Sequence, residues 1–255
     1  MKVTVYVSIF VIVMAVFFIK IDRNSFLYRQ VSKIVLPITQ GWVTLPEKRL
    51  VPVFETNLTL PLNDWTWFKS DLVDYSFSPT GLKIVVNQEA VWWRNKSATG
   101  FFNLVDGDFD IQVQALTRKK SDGDSYPDQD YQFGGVILRD PLSNAFMGVE
   151  NYVFNVVGYR GSKLQVETKT TRNGYSDVVA KNWPSGDAYL KLERRGNSVV
   201  MFARELEGQE WLQINAVERS DLPETLEVGL IVYATSGGEG RTDLAVEFRK
   251  LKVKQ

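Results

Sequence analysis

The chain contains neither histidine nor cysteine in its 255 residues. Without histidine, Ser-His-Asp and Cys-His nucleophile systems are excluded, and so are HExxH zinc sites. Without cysteine there is no disulfide, no thiolate metal site and no iron–sulfur cluster. Acid–base chemistry is left to carboxylates, lysine or tyrosine, and any metal would be held through oxygen. Net charge is lacking too: 30 basic and 30 acidic residues cancel, which argues against a nucleic-acid partner. Helical periodicity is missing beyond residue 36, and there is no internal repeat or low-complexity tract.

What is present is an ordinary globular composition, 44% apolar and 24% charged, at a length suited to one large β domain or two small ones. The long apolar run is "VTVYVSIFVIVMAVFFI" at 3–19, extended past Lys20 by Ile21. It is near the lower limit for crossing a bilayer, and residues 1–21 are expected to form a single-pass, uncleaved signal-anchor. The rival reading is a signal peptide cut after Ala15; against it, the apolar run continues straight through that cut. Lys20, Arg23, Arg29 and Lys33 follow the span, and a positive-inside count leaves the rest of the chain in the cytoplasm.

Residues 22–53 read as a stalk. Asn24 or Ser25 can cap a short helix over 24–36, with Leu27, Val31, Ile34 and Val35 at helical spacing, a segment able to lie on the membrane or meet a protein partner. Pro37, Gly41, Pro46 and Pro52 then mark an extended linker. From Phe54 the text becomes short strands with turn punctuation: "GLKIVVN", "DFDIQVQAL", "FGGVILR", "NAFMGVENYVF", "KLQVETKT", "AYLKLERRGNSVVMFARE", "LEVGLIVYAT" and "DLAVEFRKLKV". This spacing predicts an antiparallel β-sandwich over 54–255.

The succession "AVWWRNKSATGFFNLVDGDFDIQVQ", "DYQFGGVILRD", "FMGVENY", "YLKLERRGN", "EGQEW", "VGLIVYAT" and "AVEFRKLKV" resembles the concanavalin A-like lectin/glucanase superfamily. It is most similar to the concanavalin-like C-terminal module of family 43 β-xylosidases and related domains of unknown function. The resemblance covers roughly residues 80 to 255. It implies an all-β jelly-roll sandwich behind the transmembrane helix, and a lectin-like or accessory carbohydrate role. Because such folds are mostly secreted, it also implies an extracytoplasmic sandwich, against the positive-inside count.

Four clusters are candidate sites. Glu205, Glu207 and Glu210 have the spacing of a jelly-roll glycosidase, but Gly208 breaks the strand, and a turn is the better reading. Asp106, Asp108 and Asp110 alternate onto one face, as solvated edge carboxylates or, alternatively, as contributors to a metal site. Asp122, Asp124, Asp128 and Asp130, with Asp140 beyond the strand, are a possible calcium loop or a hydrated one; Lys119 and Lys120 oppose a cation, and no other cofactor is indicated. "AVWWRN" is the best ligand candidate. Adjacent Trp92 and Trp93, read as strand residues, point to opposite faces, so one is core. Trp92, Arg94, Tyr131, Arg139, Glu150 and Tyr152 would line a concave face, aromatic rings against sugar C–H faces and polar groups on hydroxyls. Alternatively they are core aromatics and structural ion pairs.

The leading expectation is a membrane-anchored, non-enzymatic binding module for a glycan or another cell-envelope ligand. The alternative is an assembly subunit of a membrane complex that uses the sandwich for protein contacts, and a hydrolase or lyase ranks last. An open groove with exposed aromatics would favour the first, and a filled apolar face the second.

Overall fold

In the computed structural model, residues 54–143, 149–236 and 241–255 are described, and they form two packed antiparallel sheets. The first contains β1 (Phe54–Thr56), β3 (Val73–Ser78), β4 (Gly81–Val86), β6 (Phe109–Arg118), β11 (Asp187–Arg195), β12 (Ser198–Arg204), β13 (Leu212–Glu218) and β15 (Ala245–Lys254). The second contains β2 (Thr66–Phe68), β5 (Thr99–Asp106), β7 (Gln132–Arg139), β8 (Tyr152–Arg160), β9 (Lys163–Arg172), β10 (Tyr175–Asn182) and β14 (Thr225–Tyr233). Their orders are β13-β12-β11-β6-β15-β4-β3, with β1 on β15, and β10-β9-β8-β7-β14-β5-β2.

Alternation builds the interior. In β6, Phe109, Ile111, Val113 and Ala115 are buried, whereas Asp110, Gln112 and Gln114 between them are only partly so. The inner face of the second sheet answers with Val136, Leu138, Val153, Val157, Val228 and Leu230, in one cluster with Leu82, Ile84, Leu190 and Phe248. Each such side chain contributes about 1.5–3 kcal/mol by leaving water. Asn155 adds a polar tie between the sheets, its Nδ2 donating to the Phe202 carbonyl at 2.7 Å. Gly134 is small because the sheets meet there: a Cβ on it would lie 2.5 Å from Val246 Cγ1.

β7 does not alternate; all eight residues are buried. The reason lies outside the core. A second apolar cluster, including Trp92, Phe102, Phe133, Ile137, Tyr152, Phe154 and Tyr233, covers the outer face of the second sheet.

The strands expected at "GLKIVVN", "FGGVILR", "KLQVETKT" and "LEVGLIVYAT" form β4, β7, β9 and β14, and Gly196 (φ 57°) makes the β11–β12 hairpin. The strand expected across 144–154 is shorter. β8 begins at Tyr152 and residues 149–151 lie outside any strand. The expected anchor 1–21, the stalk 22–53 and its helix 24–36 lie outside the described residues. Among the described residues no helix is long and apolar enough to cross a membrane.

Candidate ligand-binding face

Trp92 and Trp93 are not strand residues. They belong to an excursion, residues 90–98, that crosses the outer face of the second sheet like a strap. It starts at an Ala90–Ala234 bridge and turns at Trp93–Lys96, where the two backbones exchange hydrogen bonds of 3.2 and 2.9 Å. Arg94 holds the turn in left-handed conformation (φ 52°), which costs roughly 1 kcal/mol for a non-glycine residue.

The strap is pinned along its length. Lys69 Nζ donates to the Ser97 carbonyl at 2.7 Å, and Lys169 Nζ to the Trp92 carbonyl at 2.8 Å. Arg94 N–H reaches Ser176 Oγ at 3.2 Å, and Asn95 Oδ1 accepts Glu150 N–H at 3.1 Å. Under it, the Trp92 indole is wholly buried, edge-on to Tyr152 at 5.5 Å. Tyr152 stacks in turn on Phe154 at 5.8 Å. The centre of the face is therefore filled.

Arg139 and Glu150 do meet, as an interior ion pair. Arg139 Nε lies 3.0 Å from Glu150 Oε2, Nη1 lies 2.5 Å from Glu227 Oε2, and Nη2 donates to the Ser143 carbonyl at 2.8 Å. The guanidinium also sits 4.8 Å over the Phe68 ring. Its pKa is held up by the two carboxylates against the opposing effect of burial. Burial pushes the Glu227 carboxyl above its usual range.

Two rings at the margins of this face reach solvent, and the β9 residues between them are buried. Trp93 and Tyr131 are each 41% exposed. Lys169 Nζ lies 4.8 Å from the Trp93 ring and 3.7 Å from Glu167 Oε1. Glu167 Oε2 takes Arg160 at 3.0 Å, and that guanidinium lies 5.0 Å over the Tyr131 ring. Glu167 and Lys169, two residues apart on β9, share one face and stand about 7 Å apart along it. Two exposed rings are thus joined beneath the surface through a buried cation, a buried carboxylate and the partly exposed Arg160. Lys169 is almost fully buried, and its pKa falls to about 8, burial being the chief cause.

No family model and no curated protein matches the chain. Solved structures do. A functionally unknown protein from Saccharomyces cerevisiae superposes with a TM-score of 0.57 at 15% identity, over 75% of this chain and 96% of that one. A xyloglucan PUL GH43 protein from Bacteroides ovatus gives 0.59 at 12% identity, over 81% of this chain and 40% of its own. The lectin UEA-II, solved with galactose, gives 0.52 at 12% identity, over 81% of this chain and 100% of the lectin. The fold is a concanavalin A-like jelly roll. The chain spans well under half of the GH43 protein that it matches.

Within this jelly roll the acidic clusters resolve into turns. Asp122 caps a loop, accepting Asp124 N–H at 3.1 Å and Ser125 Oγ; Asp128 pairs with Lys119, and Asp130 accepts Gly161 N–H at 2.7 Å. Asp124 is exposed in the same loop. Among the described residues no group of three or more acidic side chains converges as a metal site. Asp106, Asp108 and Asp110 do not share one solvated face, because a turn separates two strands there: Asp106 is buried at the end of β5 and accepts from Thr225 Oγ1, Asp108 in the turn takes Gly196 N–H at 2.6 Å, and Asp110 on β6 pairs with Arg195. Glu205, Glu207 and Glu210 lie exposed in the β12–β13 turn, where Gly208 has φ 86°, as the glycine implied.

Of the six residues read as ligand-facing, Trp92, Arg139, Glu150 and Tyr152 are interior, and Arg94 and Tyr131 are exposed. Sequence reasoning passed over Arg160, Glu167 and Lys169. The signal available was "QVETK", with Gln165, Glu167 and Lys169 at period two between Val166 and Thr168.

Proposed function

We propose that the chain is a membrane-anchored, extracytoplasmic binding module, non-enzymatic, for a glycan or another cell-envelope ligand. The observation that carries the reading is the pair of exposed rings, Trp93 and Tyr131, tied together through a buried chain of charged groups. The rings are held at fixed places, Arg94 and Arg160 flank them at the surface, and Lys169 and Glu167 are buried beneath. Rings of this kind stack on the C–H faces of sugars, and the flanking guanidinium groups of Arg94 and Arg160 supply hydroxyl partners. Trp92, Tyr152, Arg139 and Glu150 serve as the support that holds the strap rigid beneath the ligand. A galactose-bound lectin among the structural neighbours supports the reading at the level of fold.

The test uses the full chain in lipid nanodiscs against a broad panel of immobilised glycans. Binding should appear, and should fall at least tenfold in Trp93→Ala and in Tyr131→Ala. No retention on any glycan, or retention unchanged by both substitutions, sinks the reading.

A second reading, an assembly subunit of a membrane complex, is favoured by one observation: the centre of the ligand face is filled with apolar side chains instead of open. Its signature is stoichiometric co-purification with other membrane proteins, lost on deleting residues 24–36.

A further inference from the structure

The edges of the two sheets are unequal. At one end of the second sheet β2 has three residues, and at one end of the first the β12–β13 pairing shifts register between Met201 and Phe202. The β3 edge at the other end of the first sheet is regular but six residues long, and the β10 edge is longer: eight residues paired to β9 without a register shift, with no proline or glycine among them. Among the described residues no strand pairs with its other side. A regular edge of this length, about 27 Å, is a template for another strand.

Which main-chain groups face outward is set by the hairpin. The β9–β10 turn is Asn173-Gly174, both at positive φ (49° and 77°), a two-residue turn that makes Arg172 and Tyr175 a hydrogen-bonded pair. Trp183 N–H donates to the Leu164 carbonyl at 2.9 Å, fixing the same parity at the far end. Odd-numbered residues therefore spend their backbone groups on β9. Those of Ser176, Val178, Ala180 and Asn182 point to the open edge.

We infer that β10 pairs antiparallel with β10 of a second copy, about a two-fold axis through Val179. Parity allows few registers, because even residues must face even residues. With Val179 opposite itself, Val178 pairs with Ala180 and Ser176 with Asn182, so every outward backbone group finds a partner. The same register sets Asp177 opposite Lys181 of the other copy, twice over. Shifting by two in either direction opposes Val179 to Asp177 or to Lys181 and loses the charge match. A lysine on an edge strand ordinarily blocks pairing; here the sequence carries its own counter-charge four residues away. Val179 is 43% exposed and Tyr175 79%, apolar surface that the pairing would cover. The interface is isologous, as a closed dimer requires, and joins the two seven-stranded sheets into one.

The absence of cysteine makes the test direct. Val179→Cys in the full chain, purified in detergent, places two thiols across a non-hydrogen-bonded pair, within the reach of a disulfide. Mild oxidation should give a covalent dimer at least fivefold faster than for Val178→Cys, which has Ala180 opposite it. Asp177→Lys added to Val179→Cys should slow cross-linking at least tenfold, and adding Lys181→Asp as well should restore it. A Val179→Cys chain that stays monomeric overturns the inference, whether its thiol is free to alkylation or shielded by another segment. So does equal cross-linking at 178 and 179, or a charge swap that fails to rescue.

Discussion

The ammonium of Lys169 donates to the carbonyl of Trp92 at 2.8 Å, a bond from the floor of the sheet to the strap lying over it. Three rings surround that ammonium, those of Trp93 at 4.8 Å, Phe154 at 4.8 Å and Tyr233 at 5.7 Å. One buried cation therefore sits between the fold and its exposed tryptophan.

Its titration should be visible in stability. Burial lowers the Lys169 pKa from 10.5 to about 8. Between those values the unfolded chain holds the proton and the folded chain does not, so stability rises with pH. Near pH 10 the trend reverses, because burial raises the Tyr152 and Tyr233 phenols above their unfolded values. From pH 8 to 9.5 the unfolding free energy is expected to climb by on the order of 1–2 kcal/mol. Urea titrations at half-unit pH steps measure the slope, and Lys169→Met should flatten it.

The two tryptophans should separate stability from binding. Trp92→Ala removes a wholly buried indole and should cost about 3–5 kcal/mol. Trp93→Ala, at a site 41% exposed, should cost about 0.5 kcal/mol while lowering glycan retention at least tenfold. Denaturant midpoints at constant m-value, read beside the glycan panel, distinguish them. A Trp93 variant as unstable as the Trp92 variant would make both residues structural.

At Gly134 the two sheets leave no room for a methyl group. Gly134→Ala places its Cβ 2.5 Å from Val246 Cγ1 and should cost about 1–3 kcal/mol through overpacking. That corresponds to a melting point lowered by several degrees, roughly 2–4 °C per kcal/mol for a domain of this size. Pairing it with Val246→Ala should recover part of the loss, and calorimetry of the single and double variants checks the coupling.

Calcium should leave the melting point unchanged at millimolar concentration. The carboxylates of Asp122, Asp128 and Asp130 are directed at Ser125, Lys119 and Gly161 respectively. A rise that disappears in Asp128→Asn would restore the acidic loop as a cation site.

The sandwich is legible because strands with one wet face write their burial into the sequence at period two, as in "DFDIQVQAL". Turn glycines such as Gly196 punctuate it. The weak places have physical causes. β10 is largely exposed on both faces and carries no apolar alternation, and β1 and β2 are only three residues long. "WW" reads as strand because adjacent aromatics suit a pleat; long-range bonds from Lys69, Lys169 and Ser176 fold it into a strap instead. Arg139 and Glu150 come together as the sequence suggests, but burial, which no local pattern encodes, makes them a support for the site.

The position of β15 governs the order in which the sandwich can be completed. It lies between β6 and β4, and β1 also pairs with it through Phe54–Val253. Until Ala245–Lys254 arrives, the first sheet is two separate ribbons with open edges and a lone β1, and the core side chains of Ile84 and Ile111 have no strand between them. Because β15 follows every other strand of the two sheets in the chain, closure of the first sheet must wait for the synthesis of all of them. The emerging chain is therefore most exposed to misassociation just before β15 leaves the ribosome.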